Sequence, residues 1–187
     1  MFGYIANMTA FSSLQVHEIM LADKVRNDAY FQAISKYVNK GDVVVDVGTG
    51  TGILALFAAS RGPKKVFAID HSDVIEKAHF ITEHNGVENI EFINVNSLQF
   101  QSPEPVDIII HEQISDDLFS ENMLVTLTDL RDRILKPGGK ILPNKFDVFI
   151  EPVKLDDAYR VPFLWEHDIR DIKYTGLKNV GKKEVGK

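Results

Sequence analysis

The stretch VVVDVGTGTGILALFAA, residues 43–59, decides the fold of this chain. Its first part, Val43–Val47, is a short β-branched run that is typical of a strand buried on both faces. Three glycines spaced two residues apart follow at once, Gly48, Gly50 and Gly52, and an apolar helical run comes after them. In this order, a strand, a glycine-rich loop and a helix predict a ligand site at the carboxyl end of the strand.

The same alternation continues through residue 142. Predicted strands cover residues 43–47, 66–69, 91–95, 106–110 and 140–142, and predicted helices cover 53–60, 73–85 and 118–135. The pattern predicts an α/β fold with a doubly wound, mostly parallel Rossmann-like sheet. The sequence KPGG at 136–139 is expected to close the last helix, and 146–153 is expected to add a final strand.

Three regions are predicted along the chain. Residues 1–40 form an N-terminal helical lid, with a helical pattern over 11–38. Residues 41–153 form the ligand-binding Rossmann-like domain. Residues 154–187 are polar and end in KNVGKKEVGK, which predicts an irregular tail or the start of a missing substrate domain.

Composition excludes several classes of protein. The 187 residues carry a net charge of −6, which argues against a general nucleic-acid-binding surface. The sequence contains no cysteine, so neither disulfides nor thiolate metal sites are available. The absence of a visible signal peptide and of a long apolar run predicts a cytoplasmic protein without membrane contact.

Two acidic residues indicate which ligand the glycine loop binds. Asp46 lies two residues before the first glycine, where it would repel a pyrophosphate and attract an ammonium group. Asp70 ends the second apolar run, where a carboxylate can accept hydrogen bonds from two ribose hydroxyls. S-Adenosylmethionine joins an ammonium, a ribose and an adenine without phosphates, so it is the predicted cofactor. A nicotinamide dinucleotide is the competing ligand, and Asp46 counts against it.

At this point the sequence resembles the class I methyltransferases, and in particular the protein arginine methyltransferases. The resemblance extends over about residues 8–155 and includes the glycine motif and the upstream segment HEIMLADKVRNDAY. It implies that His17 and Arg26 lie over the cofactor, with Arg26 pairing with the methionine carboxylate. It also implies cofactor contacts by Asn96 and Ser97, at the adenine, and by Met123, near the sulfonium.

The downstream segment HEQISDDLFSENML resembles the double-glutamate loop of the same family. Glu112 and Glu121 stand at the family spacing of nine, which implies that they are the catalytic pair that grips a guanidinium as a planar fork. The sequence departs from the family where Gln113-Ile114 replaces Trp-Met. The aromatic N-terminal motif is also replaced, by Asn7, Met8 and Phe11, and no T-H-W loop follows residue 153.

Other candidates have structural interpretations. Leu14, Met20 and Leu21 are expected to be core residues, and His79 and His84 to lie on the surface. His71 and His111 stand next to strand ends, and these positions would allow them to border the cofactor. The six histidines offer no metal-ligand cluster.

The sequence therefore predicts an S-adenosylmethionine-dependent methyltransferase, with arginine side chains of proteins as the favoured acceptor. Two alternatives stay open at this point. One is a methyltransferase for another acceptor, such as a small-molecule amine or hydroxyl, and the other is a non-catalytic cofactor-binding module. The expected partner is a protein or small-molecule methyl acceptor, and the oligomeric state is left undetermined.

Overall fold

The computed structural model describes residues 14–115, 121–151, 168–169 and 172–173. The chain divides into two compact units, residues 1–147 and residues 148–187. The predicted boundaries after residues 40 and 153 stay a prediction.

The described part of the N-terminal region forms two helices, α1 at Leu14–Ala22 and α2 at Lys24–Tyr37. The break comes at Asp23, whose side chain accepts a hydrogen bond from the Arg26 amide at 3.1 Å and so caps α2. The predicted continuous helical segment is therefore wrong at this point. Residues 11–13 of that segment, together with Asn7 and Met8, lie outside the described residues.

Five strands of the described chain form one parallel sheet in the order β3-β2-β1-β4-β5. Their bounds are Val43–Val47, Lys65–Asp70, Ile90–Asn94, Val106–His111 and Leu135–Leu142 for β1 to β5. This confirms the predicted doubly wound, parallel architecture. All five residues of the central strand β1 are buried, Asp46 among them, as its four valines predict for a strand covered on both faces.

Helices cover both faces of this sheet. Helices α3 (Ile53–Ala59) and α4 (Ile75–His84) follow β1 and β2, and α5 (Met123–Ile134) follows β4. One buried cluster joins Ile34 of α2 and Leu54 of α3 to the sheet. The other joins Leu127 and Leu130 of α5 to it. Because parallel strands share one direction, their carboxyl ends and the loops that follow them meet at one edge.

The last predicted elements differ from the structure. The KPGG sequence lies inside β5, because Gly139 lets that strand approach β4: a Cβ there would be 3.0 Å from the Asp107 carbonyl. Glu121 and Asn122 precede the last helix, which begins at Met123, whereas 118–120 lie outside the described residues. No strand forms over 146–151, and 152–153 are not described.

In the second unit, β6 (Asp168–Ile169) pairs antiparallel with β7 (Ile172–Lys173). The rest of the predicted irregular tail lies outside the described residues. Among the helices of the described residues, none has the length and apolar character that a membrane span requires.

Candidate functional site

The glycine loop is held against the end of β2 by its own backbone. The amides of Gly48 and Thr49 both donate to the Ile69 carbonyl, at 2.9 and 3.0 Å. The Gly50 amide donates to the Asp70 carboxylate at 2.9 Å. A loop whose amides are already bonded within the protein has few donors left for a phosphate.

Gly50 is required by a close contact as well as by its backbone. Its φ is +52°, and a Cβ at this position would stand 2.6 Å from Cε1 of His17. The buried His17 ring of α1 therefore rests directly on the loop. The predicted position of His17 over the cofactor stays a prediction.

Asp70 both orders the loop and keeps an acceptor for a ligand. One carboxylate oxygen accepts from the amide and hydroxyl of Ser72, at 2.8 and 2.7 Å, and the other accepts from Gly50. Two carboxylate oxygens offer about four acceptor positions, so about one stays available. His71 stands beside this carboxylate, with Nδ1 4.0 Å from it.

Asp46 lies beneath the loop and does not line the pocket beside it. Its side chain is 1% exposed, and one oxygen accepts from the Thr49 hydroxyl at 2.6 Å. The other oxygen has no hydrogen-bond partner among the described residues. Burial raises the pKa of Asp46 to about 7, with the Thr49 hydrogen bond opposing the shift. In the structure this carboxylate supports the loop through its hydrogen bond with Thr49. Its predicted attraction of an ammonium group stays a prediction.

Arg26 and Glu112 form a half-buried ion pair in the lining of the pocket beside the loop. Nη1 of Arg26 is 3.4 Å from Oε1 of Glu112, and the two side chains are 24% and 23% exposed. The other terminal nitrogen of Arg26 donates to the Met20 carbonyl. Burial raises the pKa of Glu112, whereas the positive charge of Arg26 lowers it. A predicted cofactor residue and a predicted catalytic residue are thus brought into contact.

Several of these groups share one pocket, although its lining includes neither Asp46 nor Asp70. Its lining includes His17, Arg26, Gly48, Gly50 and Glu112, together with Met20 and Leu21. The enclosed space is about 50 Å³. Typical small-ligand sites measure about 300–1,000 Å³, so this space by itself is smaller than a nucleoside-sized ligand needs.

The prediction that Leu14, Met20 and Leu21 are core residues is wrong. Leu14 is 53% exposed and Leu21 is 40% exposed, whereas Met20 and Leu21 border the pocket. The only buried residue of α1 is His17. The apolar spacing of this helix therefore reflects its position over the loop and not packing in the core.

Not all predicted site residues meet at the pocket. Asn96 and Ser97 form a turn after β3. Met123 is 1% exposed and belongs to the core cluster on the α5 face. Glu121 lies just before α5, and residues 116–120, which connect it with Glu112, lie outside the described residues. Gly52 caps the start of α3.

His111 is the buried last residue of β4 and directly precedes Glu112. It is completely buried, its Nε2 is 2.9 Å from the Pro143 carbonyl, and burial lowers its pKa. Since a carbonyl only accepts, Nε2 carries the proton. Two other histidines, His79 and His84, are exposed as predicted. Among the described residues, no group of three His, Asp or Glu side chains is placed to hold a metal ion.

Sequence reasoning missed Tyr30 and Ser72. The Tyr30 hydroxyl lines the pocket and donates to the His111 carbonyl at 3.0 Å, and burial raises its pKa. The signal was present, because Tyr30 lies four residues after Arg26 on one helix face. Ser72 follows Asp70 by two residues, the spacing of a side-chain-to-backbone turn.

Comparison with known proteins identifies the family. A family model described as Methyltransferase domain matches residues 38–185. The chain is 40% identical over 154 residues to Protein arginine N-methyltransferase 2 of Dictyostelium discoideum, which covers 81% of this chain and 30% of that protein. It is 32% identical over 182 residues to Probable protein arginine N-methyltransferase 6 of Arabidopsis thaliana, covering 96% of this chain and 42% of that protein.

A solved structure shows the same fold. The PRMT1 enzyme–prozyme heterotetrameric complex with AdoHcy from Trypanosoma brucei superposes with a TM-score of 0.75 and 33% identity, over 91% of this chain and 55% of that one. The chain spans less than half the length of the two curated relatives. It belongs to the methyltransferase domain family.

Proposed function

We propose that this member of the methyltransferase domain family uses S-adenosylmethionine as its methyl donor. The observation that carries the proposal is the state of the glycine loop. The amides of Gly48, Thr49 and Gly50 are bonded to the protein's own β2 end, while Asp70 keeps an acceptor for a hydroxyl. This arrangement suits a ribose without a pyrophosphate beside it. The solved relative with AdoHcy supports the same ligand.

Arg26 fits the methionine end of this cofactor. Its guanidinium lies in the pocket lining beside Glu112, at 3.4 Å. A carboxylate entering the pocket would compete with Glu112 for its guanidinium, which binds carboxylates strongly and with defined geometry. Cofactor binding would then leave Glu112 without its partner and able to accept another cation.

We further propose that the acceptor is the guanidinium of an arginine in a protein. When bound, S-adenosylmethionine supplies a methyl group already activated by its sulfonium. The protein then has to position the acceptor nitrogen and stabilise its charge. Glu112 provides a half-buried carboxylate at the pocket, and Glu121 is its proposed partner. The relatives named as arginine methyltransferases support this choice.

Another acceptor class remains the competing proposal for this site. A small-molecule amine or hydroxyl needs the same cofactor but does not need two carboxylates. The sequence departure at Gln113-Ile114 lies next to Glu112, so it falls where acceptor preference would be set. A cytoplasmic location belongs to the same proposal, since the protein acceptor and the cofactor would meet there.

Two measurements test the proposal in order. Calorimetry should show binding of S-adenosylhomocysteine and much weaker binding of NAD, and tighter NAD binding would refute the cofactor assignment. Labelled S-adenosylmethionine should then be offered with an array of arginine-containing peptides and with a panel of small amines and alcohols. Label on the small molecules alone would refute the arginine acceptor while leaving the cofactor in place.

A further inference from the structure

The turn after β3 borders the edge of the sheet where the glycine loop lies. The amide of Val95 donates to the Asp70 carbonyl at 2.8 Å, so the start of the turn is tied to the end of β2. Within the turn, the Asn96 side chain accepts from the Leu98 amide at 3.0 Å. The Asn96 carbonyl accepts from the Gln99 and Phe100 amides, at 2.8 and 3.1 Å. Residues 96–100 thus form a compact turn beside Asp70.

A side chain from the opposite element fixes this turn from outside. Arg133, near the end of α5, donates from Nη1 to the Phe100 carbonyl at 2.7 Å and from Nη2 to the Ser97 carbonyl at 3.2 Å. Both carbonyls belong to the turn, and both lie more than thirty residues away in sequence. One guanidinium therefore connects α5 to two points of the turn.

Asp129 holds the guanidinium in the orientation that this requires. Its two oxygens accept from Nε of Arg133 at 3.0 and 2.9 Å, and one of them accepts from Nη2 at 2.6 Å. All three guanidinium nitrogens of Arg133 are thus engaged. The planar fork of arginine makes this combination of contacts, whereas a lysine ammonium would make fewer of them.

We propose that Arg133 is a positioning residue for the nucleoside end of the cofactor. The proposal rests on the proposed function, in which Asp70 accepts from the ribose, because Val95 at the start of this turn donates to the Asp70 carbonyl. The resemblance further implies that Asn96 and Ser97 of the turn contact the adenine. Arg133 acts through the turn and does not touch the ligand. Arg133 holds the turn in its bound shape before the ligand arrives. It therefore lowers the conformational entropy that the turn would otherwise lose when the ligand binds.

The test compares Arg133→Met with Arg131→Met. Arg131 lies two residues earlier on the same helix and pairs with its exposed neighbour Asp132 at 2.8 Å, so it is a matched control. Arg133→Met should speed hydrogen exchange at the amides of residues 98–100. It should also weaken the affinity for S-adenosylhomocysteine by about tenfold, the factor that corresponds to one lost hydrogen bond. Arg131→Met should stay within about twofold of the parent.

A second ligand, 5′-methylthioadenosine, lacks the amino-acid end of the cofactor. Its affinity shows whether Arg133 affects binding of the nucleoside end or of the amino-acid end. Because the turn serves the nucleoside, Arg133→Met should weaken this ligand by the same factor as S-adenosylhomocysteine. A residue that only stabilises the fold would lower the unfolding temperature and leave both affinities unchanged at temperatures well below it. Arg133→Lys should recover part of the affinity, because its ammonium can reach one of the two carbonyls.

If Arg133→Met does not fold, Asp129→Asn serves in its place, because it removes the charge that orients Arg133 and keeps the side-chain volume. Equal ligand affinity in parent and variant would overturn the proposal, even if the turn exchanges faster. Unchanged exchange in the turn would overturn it as well. Failure of the parent chain to bind S-adenosylhomocysteine would refute the proposed function and this role with it, whereas equal binding refutes this role alone.

Discussion

The two sides of the pocket are built in different ways. On the glycine-loop side, Gly48, Thr49 and Gly50 line the pocket, and their backbone amides donate to the end of β2 at 2.9–3.0 Å. On the Arg26–Glu112 side, two long side chains separated by 86 residues in sequence meet at 3.4 Å. The first side is fixed by the sheet, and the second depends on side chains that can exchange partners.

This difference separates binding from chemistry. Backbone contacts inside a sheet edge cannot adjust without disturbing the strands, so the glycine-loop side is ready for a ligand before it arrives. The ion pair on the other side can open when a ligand carboxylate competes for Arg26, and it then exposes a carboxylate for the acceptor. Substitutions on the two sides should therefore change different measured quantities.

The largest expected effect is on the Arg26–Glu112 side. Glu112→Gln keeps the shape but removes the charge that would hold a guanidinium. Methyl transfer should fall by on the order of 100-fold or more, and Glu121→Gln should behave in the same way. Cofactor affinity should stay within a few-fold. The measurement uses labelled S-adenosylmethionine and an arginine peptide.

Glu88→Gln is the matched control for this experiment, because Glu88 is exposed and lies away from the pocket lining. Its rate should equal that of the parent. If Glu112→Gln and Glu121→Gln also methylate at the parent rate, the two glutamates do not handle the acceptor, and the arginine assignment fails with them.

On the glycine-loop side, Asp70→Ala should weaken cofactor binding without a separate effect on the chemical step. The substitution removes the hydroxyl acceptor and the anchor of the Gly50 amide, so the affinity for S-adenosylhomocysteine should fall by roughly 1.5–3 kcal/mol. Calorimetry measures this directly. Asp73→Ala, at an exposed acid three residues later, should leave the affinity unchanged. Equal affinities of the two variants for S-adenosylhomocysteine would show that Asp70 does not contribute to cofactor binding.

The contact between α1 and the loop can be tested through stability. Gly50→Ala and Gly86→Ala both place a Cβ on a backbone with positive φ, at +52° and +65°. Only Gly50 has a neighbour in the way, because nothing lies within 4 Å of a Cβ at Gly86. Urea unfolding should show Gly50→Ala to be the more destabilised by about 1–3 kcal/mol, the usual cost of overpacking.

Adding His17→Ala to Gly50→Ala should recover part of this loss, because the ring that the new Cβ would meet is then absent. A double variant as unstable as Gly50→Ala would show that the cost comes from the backbone alone. Equal stability of Gly50→Ala and Gly86→Ala would show that α1 does not rest on the loop in solution.

The smallest expected effect concerns the lid. Because His17, Met20 and Leu21 of α1 line the pocket, a bound cofactor should hold α1 in one arrangement, and hydrogen exchange over Leu14–Ala22 should slow by roughly threefold to tenfold. The buried helix Ile53–Ala59 is the internal reference and should change less. Unchanged protection of α1 would mean that this helix only supports the fold and does not respond to the cofactor. The adjustable side of the pocket would then consist of the Arg26–Glu112 ion pair without α1.

Sequence patterns predicted the fold well where they concern neighbouring residues. The all-buried β1, the glycine loop after it and the parallel alternation of strands and helices follow from apolar runs and turn residues a few positions apart. The same local patterns failed at KPGG, where a distant segment intervenes, because Gly139 lets β5 approach β4. They also missed a local signal, because Asp23 caps the second helix at the Arg26 amide and so separates α1 from α2.

The candidate site divides along the same line. The sequence by itself determined which residue types stand at the carboxyl ends of β1, β2 and β4, since those positions follow directly from the strand runs. Only the tertiary structure decided that Arg26 meets Glu112 and that Met123 is buried in the core. It also decided that Asp70 accepts hydrogen bonds from Gly50 and Ser72 at most of its acceptor positions. The physical reason is that a strand or a glycine turn is specified by residues close in sequence, whereas burial and hydrogen-bond partners are set by contacts between segments that are far apart in the chain.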